Sequence, residues 1–438
     1  MPPKTATAIE SQQPQESPFP EHLQAFVNSV TSLRTTLHQL IIILHRSTDL
    51  QGKNASEFLK SLPGCQIEQH GDAGVTIKAT MTADQYAKYE PMNQDLQHSI
   101  IAAQLLPRLC IVSLVSHFDV LFANLVRSFF EIVPQRLDDS DKTLSISELM
   151  QLGSIEAARS RAIEKEVESL LRENHAKQIS WLEKALGIPL RKDLLIWPTF
   201  IEVTERRNLF VHSEGIVSTQ YLTVCRDHKV SLAPGLTVGS SLDVPQEYFL
   251  AACDTILEMG VKLAHVVWRK LLPKEVDRAN ASLVQIGIDV ITATRYDLAI
   301  ELLRFPSTLP QKPDDTTALL LKINIAQAFK WKGDIDQCQR TLDKIGWGSL
   351  AEKFHLAKAV LTDDFDLAAK MMRRIARNDP MMNEHSYQRW PIFREFRNSP
   401  QYAAAYQAVF GGVTVSEPCP DQQHENTPPT ADDTPNSK

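Results

Sequence analysis

"LLIWPTFIEVTERRNLFVHSEG", residues 194–215, is the stretch whose reading decides the fold class. Pro198 suits a helix's first turn, where its missing N–H costs nothing. Gly215 suits the stop, because helices often end on a left-handed residue that glycine adopts freely. Between them Val203, Leu209, Phe210 and Val211 supply an apolar side to anchor a helix. Working outward, apolar residues recur at helical rather than alternating spacing along nearly the whole chain, and only 16 glycines interrupt it. The fold class predicted is mainly α: a four- or five-helix bundle followed by an α-helical repeat array.

A chain of 438 residues exceeds what one core normally supports, which predicts two or three folded units. Residues 1–22 and 413–438, rich in Pro, Gln, Ser and acids, are predicted to be disordered tails. Residues 23–96 form an N-terminal helical extension, in which "CQIEQHGDAGVTIKAT" suggests a small hairpin around Gly71 and Asp72. Residues 97–274 are the bundle. Ser145 to Glu148 has the form of a capping box there.

Residues 275–412 change texture. "RYDLAIELL", "KGDIDQCQRTL" and "DDFDLAAKMM" place Asp297, Asp334 and Asp366 ahead of apolar helical stripes, each with a preceding helix. The aspartates are read as N-caps, and two helices in a period of about 34 residues resemble a tetratricopeptide array. Such arrays present surfaces to protein partners.

The net charge of -7 argues against a molecule coated in positive potential. The two tails carry -2 and -4 of it, leaving about -1 for the body and room for a local basic cleft. Six scattered cysteines without a CxxC pair fit a reducing cytosol and no structural zinc; Cys225 and His228 in "CRDH" are two possible ligands without a second pair. No metal and no cofactor are expected. The N-terminus has no secretory h-region. The apolar run from Ile100 to Val133 is broken by Pro107, Arg108, His117, Asp119 and Arg127, so it reads as a buried helix, not a membrane span. The location expected is cytoplasmic.

Chemistry concentrates in residues 202–212. At about 100° per residue, Glu205, Asn208 and His212 share one face, and Arg207 is offset by one step. An arginine offers a planar cation that fits phosphate oxygens, and histidine trades protons near neutral pH. Together, without metal ligands, they suit RNA cleavage, in which the ribose 2′-OH is the nucleophile. Arg206 is a solvated neighbour or an RNA-phosphate contact. Asp119 faces the cleft or makes a structural hydrogen bond.

"RNLFVH" at 207–212 resembles the R-x4–6-H signature of HEPN domains. The likeness extends to "SLVSHFDVLFANLVRSFF" upstream and "VPQEYFLAACDTILEMGVKLAHVVWRKL" downstream, covering roughly 97–274. The resemblance implies a metal-independent endoribonuclease of toxin–antitoxin, abortive-infection or anti-phage systems. It implies a homodimer in which two motifs meet to cut RNA, leaving 2′,3′-cyclic phosphate ends. The site residues it implies are Arg207 and His212 as the catalytic pair, with Asn208 assisting and Glu202 as the acidic residue five positions before the arginine. Where one subgroup carries a regulatory Tyr two residues after the His, this chain has Glu214. The rival reading is a non-catalytic helical adaptor, or a nucleotide- or RNA-binding module, that uses the bundle and repeats for protein interaction.

Overall fold

The computed structural model describes residues 17–69, 75–139 and 144–411. The chain is mainly helical, with one small antiparallel strand pair among the described residues. Helix α1 (Phe19–Lys60) leads through β1 (Gln66–Gln69) and β2 (Val75–Lys78), with Ile67 opposite Ile77, into α2 (Ala83–Ile132). The hairpin expected around Gly71 and Asp72 therefore forms, though those two residues lie outside the described ones. So do nearly all of the predicted tails. Residues 17–22 do not: α1 begins at Phe19, and Phe19 and Leu23 are buried, so the apolar stripe starts earlier than 23.

Helices α1 and α2 are unbroken over 42 and 50 residues. No break occurs at the expected 96/97 border. Thr82 caps α2 through its hydroxyl, with Gln85 reciprocating. The body half of α2, from Pro107 on, is the spine of the core: Ile111, Leu114, Val115, Phe118, Leu121, Phe122, Leu125, Val126 and Phe129 are all buried. Pro107 lies in the helix interior, where it cannot donate the usual backbone hydrogen bond. By length and composition α2 could cross a membrane, yet 56% of its most apolar window is buried inside the protein.

Against this spine pack α4 (Ile155–Leu171), α5 (His175–Leu186), α6 (Trp197–His212) and α8 (Gln246–Leu271), with short α3 (Ile146–Leu152) and α7 (Thr219–Asp227) between them. Ser145 and Glu148 form the expected capping box on α3. Arg127 clamps Glu164 through two hydrogen bonds of 2.6 and 2.9 Å, tying α2 to α4. Gly260 of α8 leaves room for the Phe26 ring of α1, which a Cβ there would meet head-on.

The repeat region continues with α9 (Val276–Thr292), α10 (Tyr296–Arg304) and α11 (Asp315–Lys332), then α12 (Ile335–Asp343), α13 (Glu352–Leu361), α14 (Phe365–Ile375), α15 (Glu384–Arg389), α16 (Arg394–Arg397) and α17 (Pro400–Phe410). Two compact units divide at Ala328/Phe329. Contacts do not thin at 274/275, because α9 and α10 pack on α8 and remain with the bundle. In the second unit α14 packs on α13 and α17, and Tyr387, Phe393, Phe396, Tyr402 and Tyr406 form an aromatic core.

Of the three aspartates expected as caps, only Asp334 caps its helix, accepting from Gln337 N at 3.1 Å. Asp364 takes that role for α14 in place of Asp366, and α10 starts after Arg295, with Asp297 in its first turn. An acid in the first turn still favours the positive helix end, so the pattern marked the starts while missing the capping position.

Candidate functional site: a polar cleft at the end of α6

Trp197–His212 forms α6, with Pro198 in its first turn. Its end is built with care. Ser213 N and Gly215 N both donate to Leu209 O, and Gly215 turns left-handed at φ +83°. A Cβ on Gly215 would lie 2.8 Å from Leu242 O, so the site requires glycine on both counts. Residues 238–242 lace back onto this turn, Leu242 N donating to Gly215 O and Val217 N to Ser240 O. Arg108 of α2 donates to Glu214 O at 3.1 Å and meets Asp243 at 2.5 Å, with its guanidinium over the Phe210 ring. Below, Leu209, Val217, Tyr221 and Cys225 form a small core with α7. The last turn of α6 is thereby fixed with its polar side facing outward.

That side opens into a cleft of about 370 Å³ whose lining includes Asp119, His175, Gln178, Glu205, Arg207, Asn208 and His212. Arg207 Nη2 donates to Asp119 Oδ2 at 2.8 Å. The other oxygen of Asp119 lies 2.9 Å from Nε2 of His175, the first residue of α5. Arg207 Nε is buried and has no hydrogen-bond partner. An N–H that is desolvated and unmatched costs free energy unless something completes it, and a phosphate oxygen at a guanidinium is the natural complement. His212 is exposed on the final turn, beside the helix's negative end. Glu205 is buried, and burial pushes its carboxyl above the ordinary glutamate value, opposed by the charge of His175, a hydrogen bond with Asn208 and the charge of Arg207.

Of the residues expected to form the site, Arg207, Asn208 and His212 share this cleft, and Asp119 joins them from α2. Glu202 and Arg206 do not line it, which corrects the roles expected for both. Five residues before Arg207, Glu202 is rotated well away around the helix. It is buried, accepting from Tyr221 OH at 2.8 Å, Tyr248 OH at 2.7 Å and Arg206 Nε at 2.7 Å. Burial and the adjacent Glu202 carboxylate push both tyrosine hydroxyls far up, so they stay neutral donors. Arg206 also donates from Nη1 to Asp243 O at 3.0 Å and lies 3.8 Å over the Tyr248 ring. Its guanidinium is thus held away from the cleft by its neighbours.

Sequence reasoning missed His175. The signal available was Asn174, which caps α5 by accepting from Lys177 N at 2.9 Å and so places His175 at a helix start. Nothing in the sequence alone joins that start to α6. Of the "CRDH" pair, the Cys225 thiol is buried and pushed up to about 11, and His228 Nδ1 accepts from Trp197 Nε1 at 3.1 Å. The chain matches no family model, no curated protein and no solved structure.

Proposed function

We propose that the chain is a metal-independent endoribonuclease of the HEPN type. The observation that carries the reading is the unmatched, buried Arg207 Nε in the same cleft as Asn208 and His212. In the proposed reaction His212 moves the proton at the ribose 2′-OH or the departing 5′-oxygen. Arg207 stabilises the charge that builds on the phosphorus-bound oxygens, the largest single term in such sites. Asn208 orients the phosphate from the adjacent position.

The acting form is a homodimer. An exposed apolar stripe on α2 (Ile101, Leu105, Leu109, Val120) and Val211 on the last turn of α6 support this part of the reading. A second copy on that stripe would bring two clefts close together. The biological setting proposed is cytoplasmic toxin–antitoxin or anti-phage defence, with the helical repeats engaging a protein partner.

The test is purified chain incubated with cellular RNA, alongside Arg207→Ala and His212→Ala. Expected are fragments ending in 2′,3′-cyclic phosphate from wild type and far slower cutting by either variant. Equal cutting by all three, or an RNA pool left intact by wild type, would sink the reading. A binding module is the second reading, favoured by Asp119, which already neutralises one side of the guanidinium. Intact RNA that stays bound in an Arg207-dependent way would select it.

A further inference from the structure

We propose that Asp119 and His175 form a positioning pair that sets the plane of the Arg207 guanidinium, a role that rests on the ribonuclease reading above. Three elements distant in sequence meet at one carboxylate. Asp119 on α2 accepts from Arg207 Nη2 on α6 at 2.8 Å through one oxygen, and faces His175 Nε2 on α5 at 2.9 Å through the other. Against a carboxylate, that ring nitrogen carries the hydrogen.

His175 is itself held firmly. It is 5% exposed and wedged by the rings of Phe118 and Phe200, at centroid distances of 5.9 and 5.8 Å. Those rings restrict its imidazole, so Asp119 meets a donor that is held in place. A guanidinium is planar and rigid. With Nη2 held at one end and the side-chain stem at the other, the plane between them is restricted, and with it the Nε–H that has no partner. His175 therefore acts through Asp119, and Asp119 through Arg207; neither needs to touch the substrate.

Loss of the pair leaves the charge of Arg207 in place and frees its orientation. The cost should fall on the transition state, which depends on geometry, more than on RNA affinity. Asp119→Asn keeps the shape but presents one acceptor oxygen to two donors. On a short single-stranded RNA, D119N is expected to lower kcat about a hundredfold, the scale of a misplacement of about 1 Å, with KM little changed. Because Asp119 acts only through the guanidinium, D119N combined with Arg207→Ala should be no slower than R207A alone. His175→Gln, which retains an N–H donor, should recover more activity than His175→Leu.

A second measurement does not depend on cleavage. In the intact chain, the 15N-detected Nη signals of Arg207, assigned by their loss in R207A, should be split by hindered rotation and should merge in D119N and H175L. Wild-type kcat in a folded D119N, losses that multiply in the double variant, or Nη signals unaltered by D119N would overturn the positioning pair. A wild type that cuts no RNA, yet whose Arg207 signals merge in D119N, would remove the ribonuclease reading and keep the pair.

Discussion

Arg206 and Arg207 are consecutive residues on one helix with opposite fates. Arg206 lies under the Tyr248 ring, bound to Glu202 and the Asp243 carbonyl. Arg207 lines the cleft, holds Asp119 with one nitrogen and keeps its buried Nε without a partner. The hydrogen bonds shown for the first guanidinium tie it to the fold around it, whereas the second keeps one N–H that no neighbour meets. A charge's neighbours, and not its type, decide which kind of work it does.

Substitutions can break this contrast. The largest effect expected is on activity: Arg207→Ala should lower kcat by about 10²–10³-fold, as for loss of one donor to a developing oxyanion, with little change in melting temperature. Arg206→Ala should reverse the pattern. It strands Glu202 beside two neutral hydroxyls, at a cost of about 3 kcal/mol of stability by chemical denaturation, while kcat per folded molecule holds. Comparable kcat losses in both would erase the distinction.

Gly215→Ala tests the turn that presents both arginines' helix to the cleft. Strain at φ +83° and the approach of Leu242 O should cost about 1–3 kcal/mol, read by thermal melting. A buried histidine adds a test through pH. His265 is fully buried beside Arg269, and burial lowers it to about 3. The folded state therefore refuses a proton that the unfolded chain takes up below about 6.5. Stability is fully present above that value and drains away as pH falls toward 3. His265→Leu should flatten this acid limb, read by thermal melting across that range.

The smallest effect belongs to Glu205. Its raised carboxyl favours the protonated folded state, so its contribution is present below the ordinary glutamate value and is lost as pH rises through the raised one. Glu205→Gln should raise the melting temperature slightly at pH 7 and leave it equal to wild type near pH 4.

Much of this was legible in the residues. Pro198 and Gly215 bracket α6 because the physics of helix ends is local, and the same holds for Ser145 and Glu148. Arg207, Asn208 and His212 could be gathered because one helix carries all three. Helical phase also held the means to separate Glu202 from them, since its i,i+4 partner is Arg206. What the sequence withheld was tertiary. His175 reaches Asp119 across 56 positions and Arg207 reaches it across 88, and no local pattern records such meetings. The division of the chain into compact units is tertiary too: α9 pairs chiefly with α10, and both also touch α8, so the first unit runs on to Ala328.

One further consequence follows from Pro107. It stands in α2 where the slender pairing with α1 gives way to the packed body, with Asp119 twelve residues beyond it on the same helix. A proline there deletes a rung of the backbone ladder, and Pro91 deletes another closer to the strand pair. Each gap bends more easily than an unbroken ladder, so flexing of the first half of α2 has two places to be taken up before it reaches Asp119.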